Sequence, residues 1–153
     1  MDPRGRKPLR LLVAEDDTDD QLLLVEALRE ADVPHEVNFV PDGAEMLAYL
    51  NREGSWSDPR SSPRPSLVLL DLNMPRVSGF EVLERRQEHP TLRVIPVIVM
   101  TSSWSERDIA RCYSLGANAF ITKPVTFDQL VNVMGALGSF WLETCELPSP
   151  ELA

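Results

Sequence analysis

Residues 66–75 read SLVLLDLNMP, an aliphatic run that stops on Asp71 and is followed by a turn-forming proline. A run apolar on both faces belongs in the middle of a parallel sheet, so Ser66–Leu70 reads as a central strand. Working outward, Leu9–Ala14 (LRLLVA) and Val94–Met100 (VIPVIVM) have the same character. His35–Val40 (HEVNFV) alternates and suits an edge strand, and Ala119–Thr122 (AFIT) is a short fifth. Between these runs apolar residues recur at helical spacing: Leu24, Ala27, Leu28 and Ala31; Met46, Leu47 and Leu50; Phe80 and Leu83; Ile109 and Tyr113. Pro34, Pro41 with Gly43, Pro75 with Gly79, and Gly116 fall at the proposed ends, where backbones turn. Strands that alternate with helices in this way make a doubly wound α/β domain. Residues 53–65 (EGSWSDPRSSPRP) are polar, hold three prolines and are expected to form a surface loop.

The chain has 153 residues, which suits one ordinary domain of about 100–150 residues with a single core. Its 24 acidic side chains outnumber 15 basic ones, leaving a formal charge of −9. Such a surface does not suit nucleic acid, whose phosphates are gripped by clustered Lys and Arg. Cys112 and Cys145 are too few for a disulfide framework and lack metal-ligand spacing, so both are expected to be reduced. No apolar run approaches the roughly 20 residues of a membrane span. The leader carries Arg4, Arg6 and Lys7, but Leu9–Ala14 is too short for a signal-peptide core, so a cytoplasmic location is expected.

Open α/β sheets gather their sites at the carboxyl ends of the strands. Those ends supply Glu15, Asp16 and Asp17 after the first strand, Asp71 after the third, Thr101 after the fourth and Lys123 after the fifth. Asp17, Asp19 and Asp20 are accounted for by a solvated helix start, with Asp17 or Thr18 as the cap. Glu15 and Asp16 abut the buried strand and face Asp71, and three converging carboxylates require a proton or a cation. Oxygen ligands with room for water suit Mg2+. Asp71 itself can act as a nucleophile, holding a phosphoryl group as an acyl phosphate. Thr101 would donate a hydroxyl and Lys123 a point charge. Taken singly, Thr101 reads as a helix cap and Lys123 as a surface lysine. Lys123 precedes Pro124, so either peptide isomer is open, and a cis bond would aim the lysine inward.

The set resembles the receiver domain of two-component response regulators over roughly residues 8–142, with 1–7 as a basic leader and 143–153 as a tail. The resemblance rests on the Glu15–Asp16 pair, LLDLNMPRVSG around Asp71, MTSS with Thr101, and FITKP with Lys123. It implies a flavodoxin-like five-stranded sheet in the order 2-1-3-4-5 with five helices. It also implies that Asp71 accepts phosphate from a histidine kinase, and that Mg2+ or Mn2+ is held by Asp16, Asp71 and the Asn73 carbonyl, with Glu15 assisting through water. Thr101 and Phe120 would reorient on phosphorylation, and Ser102 and Ser103 would tune its loss. A narrower likeness, carried by loop 53–65, SERDI (105–109), NAFITKPV (118–125) and GSFWLETCELP (138–148), is to stand-alone regulators partnered with phytochrome-type histidine kinases.

The last helix, expected from about Thr126 to Leu142, carries an unusually wide apolar face. Phe127, Leu130, Val131, Met134, Leu137 and Trp141 form one stripe, and Val133 and Phe140 widen it to about half the circumference. Either the tail folds back over it, or it pairs with a second copy together with the preceding helix and strand, bringing in Ile109 and Tyr113. Two other functions are weaker. An aspartyl phosphatase needs an acid two residues after the nucleophile, where Asn73 stands, and a flavodoxin-like cofactor cradle needs a small-residue loop where EDDTDD stands.

Overall fold

The computed structural model describes residues 7–102 and 105–148; leader residues 1–6, Ser103 and the end of the tail lie outside that description. Five strands, β1 (Leu9–Ala14), β2 (His35–Val40), β3 (Leu67–Leu70), β4 (Val97–Thr101) and β5 (Ala119–Thr122), alternate with α1 (Thr18–Glu30), α2 (Gly43–Asn51), α3 (Gly79–Glu88), α4 (Glu106–Ser114) and α5 (Phe127–Gly138). All pairings are parallel, in the order β2-β1-β3-β4-β5, as expected.

The period of two along each strand sorts its side chains into two cores. Leu9, Leu11 and Val13 with Leu67, Leu69 and Ile98 pack beneath α1 and α5, against Leu24, Leu28, Met134 and Leu137. Leu12, Val68, Leu70, Val97 and Val99 pack on the other side against Met46, Leu50, Leu83 and Cys112. The helices start where the sequence supplies a cap: Asp17, Asp42, Ser78, Ser105 and Thr126 each accept the main-chain N–H three residues on.

Three boundaries differ from expectation, each for a local reason. β3 begins at Leu67, because Ser66 turns its hydroxyl onto the main chain of Arg10, accepting its N–H at 2.9 Å and donating to its carbonyl at 3.0 Å. β4 begins at Val97, because Pro96 lacks an N–H and residues 91–94 form a turn. The carbonyls this leaves outside the ladder are met by the buried guanidinium of Arg86, which donates to Ile95 O at 2.8 and 3.0 Å and to Arg93 O at 3.1 Å. α5 stops at Gly138 and continues as a wider π turn, Ser139–Thr144.

Loop 53–65 is on the surface but stitched down. Trp56 lies 5.0 Å from the Tyr49 ring and donates its indole N–H to Glu45 at 2.7 Å, while buried Ser62 donates to Trp56 O at 2.7 Å. Tyr49, 1% exposed, donates its hydroxyl to Pro63 O at 2.7 Å.

Burial pushes the Tyr49 hydroxyl up to about 12 from 10.0, so the folded state favours its neutral form. Its contribution to stability is complete below pH 10 and is lost as pH rises through about 12. Phenolate absorbance should therefore show one tyrosine ionising only near 12, and Tyr49→Phe should remove that step and cost about 1 kcal/mol in urea unfolding. A Tyr49 that ionises near 10 would contradict the buried hydrogen bond.

Candidate functional site

The parallel order brings four strand ends to one edge, and Asp71 stands at its centre because β3 is the middle strand. The Asp71 side chain is 24% exposed at the end of four fully buried residues, so its charge must find partners at the surface of the core. Oδ1 accepts the hydroxyl of Thr101 at 2.9 Å and the main-chain N–H of Asn73 at 3.0 Å. Oδ2 faces the Lys123 ammonium at 4.0 Å. The two oxygens thus have different surroundings, one anchored by two neutral donors and one beside a partly exposed ammonium.

Each partner is delivered by its own element. Thr101, the last residue of β4, has no exposed surface. Lys123 follows β5, and its N–H bonds Thr101 O at 2.8 Å, carrying the ladder one step past the strand. No cis peptide occurs among the described residues, so Lys123–Pro124 is trans and the lysine reaches inward without the cis bond. Phe120 pairs with Val99, two residues before Thr101, which places Phe120 and Thr101 on the same sheet face; Phe120 is half-buried against the core under α4.

Glu15 and Asp16 follow β1. Burial pushes the Glu15 carboxyl up, the Lys123 charge opposing it, and Glu15 accepts the Asp17 N–H at 3.3 Å. Asp16 is exposed, and Asp17 caps α1, as one of its two expected readings had it. Among the described residues no three carboxylate, imidazole or thiol groups are close enough to hold an ion by themselves. Glu15 and Asp71 each accept a main-chain N–H two residues on.

Beside Asp71 opens a cavity of about 260 Å³ between α1 and the β5–α5 turn, floored by Val13, Leu69 and Met100. Glu15, Asp20, Asp71 and Lys123 rim it, and Leu23, Val125 and Phe127 wall it. Val125 is 88% exposed there. Of this wall the apolar patterning singled out only Phe127, since Leu23 and Val125 belong to no periodic stripe. The Asn73 N–H was not singled out, because any residue type would supply it.

Of the residues expected at a dimer surface, Tyr113 and Phe140 are exposed by 50% and 51%. Ile109, Val133 and Trp141 are half-buried, and Trp141 meets Phe140 edge-on at 5.1 Å. The described part of the tail does not cover Phe140: Pro148 lies instead near Arg64–Ser66 and Val94, at the amino-end edge of the sheet.

Residues 11–134 match the family described as the response regulator receiver domain. The chain belongs to that family. The receiver is 37% identical over 149 residues to response regulator Rcp1 of Synechocystis sp., covering 97% of this chain and 99% of that one. Its fold matches the Mn2+-bound form of Rcp1 with a TM-score of 0.81 and 38% identity, over 93% and 100% of the two chains. It matches the phosphorylated cyanobacterial phytochrome response regulator RcpA with a TM-score of 0.84 and 42% identity, over 94% and 100%. The receiver is a response regulator of the kind to which Rcp1 and RcpA belong, and it has no helix among its described residues long and apolar enough to cross a membrane.

Thr101→Val keeps the shape of a buried side chain and removes a hydrogen bond to a charged acceptor. It should lower unfolding free energy by about 2 kcal/mol at neutral pH, measured in urea. A change of less than about 0.5 kcal/mol, the usual range of substitutions without partners, would show that the hydroxyl does not hold Asp71.

Proposed function

We propose that Asp71 is the phosphoacceptor of a two-component signalling pathway, receiving the phosphoryl group from a histidine kinase. The reading rests on one observation: a carboxylate at the carboxyl edge of the sheet, anchored on Oδ1 by Thr101 and Asn73, with Lys123 beside Oδ2. In the transfer an Asp71 oxygen attacks phosphorus, the P–N bond to the donor imidazole breaks, and its electron pair leaves with the imidazole nitrogen. Lys123 neutralises charge on the incoming group, and the Thr101 hydroxyl exchanges the carboxylate for a phosphoryl oxygen.

Asp16, Asp71 and the Asn73 carbonyl, with Glu15 through water, would hold a divalent cation. The donor set is all oxygen with few protein ligands, which fits Mg2+ or Mn2+ keeping several waters. The Mn2+-bound form of Rcp1 supports this. Held there, such a cation would neutralise charge on the transferring oxygens.

Movement of Thr101 toward the phosphoryl group leaves space on the face it shares with Phe120, and the ring follows, altering the α4–β5–α5 surface. That surface carries Ile109, Tyr113, Val133, Phe140 and Trp141 and pairs with a second copy. RcpA's description as a phytochrome response regulator supports a phytochrome-type kinase as donor, acting in the cytoplasm. Self-phosphorylation from small phosphodonors and self-dephosphorylation are the only reactions assigned to the chain.

Incubation with acetyl phosphate and Mg2+ should give a single phosphoryl adduct by intact mass, lost in Asp71→Asn and with EDTA. An adduct that survives Asp71→Asn would overturn the assignment. For the dimer, sedimentation at tens of micromolar should show wild type as a dimer and Val133→Asp with Phe140→Asp as a monomer. A monomeric wild type, phosphorylated or not, would remove the second copy.

A further inference from the structure

We infer that Asp42 and Arg76 are positioning residues that clamp the loop between β3 and α3, and so set how well the site beside Asp71 binds its cation and accepts phosphate. This rests on the reading of Asp71 as phosphoacceptor.

The loop, residues 72–78, carries Asn73, whose N–H anchors Asp71 and whose carbonyl belongs to the proposed cation site. It docks on the first turn of α2 through contacts that the phosphoacceptor chemistry does not use. Asp42 is 7% exposed, and its Oδ1 is taken by the Glu45 N–H at 2.8 Å as the cap of α2. Its Oδ2, on a side chain 10% exposed, is met at 3.3 Å by the guanidinium of Arg76, whose side chain is 64% exposed. Arg76 has φ +69, the left-handed region that side-chain-bearing residues rarely occupy. Strained backbone of this kind persists where the surroundings over-determine it.

The backbones also touch. A Cβ on Gly43 would lie 2.1 Å from Val77 O, so only glycine lets α2 start this close to the loop. At the other end of the loop Gly79 N–H bonds Leu72 O at 3.1 Å, and a Cβ there would lie 2.5 Å from Asp71 O. The loop is therefore seated between the α2 cap and the phosphoacceptor's own main chain. Asp42, 34 residues from Arg76 in sequence, is its charged tether on the α2 side.

An outer partner that orients a ligand-bearing group alters cation affinity without touching the ion. Asp42→Asn is the informative variant, because asparagine caps a helix as well as aspartate does and only the charge is lost. Arg76→Gln removes the other half, and Arg76→Lys restores a cation.

The test measures three quantities on wild type, Asp42→Asn, Arg76→Gln, their double variant and Arg76→Lys: amide exchange of residues 72–79 without cation, Mg2+ affinity by calorimetry, and the rate of labelling by acetyl phosphate. Each single variant should exchange faster in the loop and lose roughly tenfold in Mg2+ affinity and labelling rate, the low end for outer-shell partners. The double variant should be no worse than either single, and Arg76→Lys should recover much of the loss. Wild-type Mg2+ affinity in both singles, additive losses in the double, or unchanged exchange in the loop would each overturn the clamp. If wild type takes neither Mg2+ nor phosphate, the phosphoacceptor reading itself fails. If wild type takes both and the variants match it, only the clamp fails.

Discussion

A carboxylate at the end of the most buried strand is the constraint around which this molecule is arranged. β3 has neighbours on both sides and helices on both faces, so its four residues are fully buried and Asp71 is the first position that can reach water. An ionised group there is costly unless donors converge on it, and no single element can supply them all. Thr101 comes from β4, the Asn73 N–H from the following loop and Lys123 from beyond β5. The parallel order is what makes them neighbours: strands adjacent to β3 end at the same edge, so their last residues meet.

The same arrangement joins the site to the rest of the fold. Thr101 shares a sheet face with Phe120, and that face is covered by α4. α4 is held lightly, with Cys112 its one fully buried residue. Its further ties to α3 run through Arg111, which lies 4.0 Å from the Phe80 ring centroid and 3.4 Å from Glu84. Elements with few buried contacts are the ones that respond to small changes nearby. α1 and α5 are tied to the sheet by more buried side chains, Leu24, Ala27 and Leu28 from α1 and Met134 and Leu137 from α5. Displacement of the face that Thr101 shares with Phe120 would meet less resistance on the α4 side.

Much of this was legible from residues. The bounds of β1, β2 and β5 coincide with the apolar runs read from sequence, because strong periodicity and flanking turn residues act together there. β3 and β4 start later than their apolar runs suggest. Hydrophobicity does not register that Ser66 would bond to Arg10 across the sheet, or that Arg86 on α3 would take up the carbonyls before β4. Loop 53–65 likewise reads as polar surface, but its anchors Tyr49 and Glu45 lie on α2, and such pairs have no local signature. Glu15, Asp16, Asp71, Thr101 and Lys123 were named from strand ends, where side-chain chemistry is visible in one dimension, and Asn73 and Phe120 only through the resemblance to receiver domains. The site's main-chain donor, its cavity and the pairing of Asp42 with Arg76 were not named.

By itself the sequence determined the fold class and which side chains stand at the carboxyl edge, because both follow from period-two and period-3.6 patterns and from where apolar runs stop. Only the tertiary structure decided how those side chains divide the Asp71 carboxylate between them. It also decided that the loop after Asp71 is seated on α2. Those outcomes depend on distances between residues 30 to 52 positions apart in the chain, set by how two layers of helices pack on one sheet.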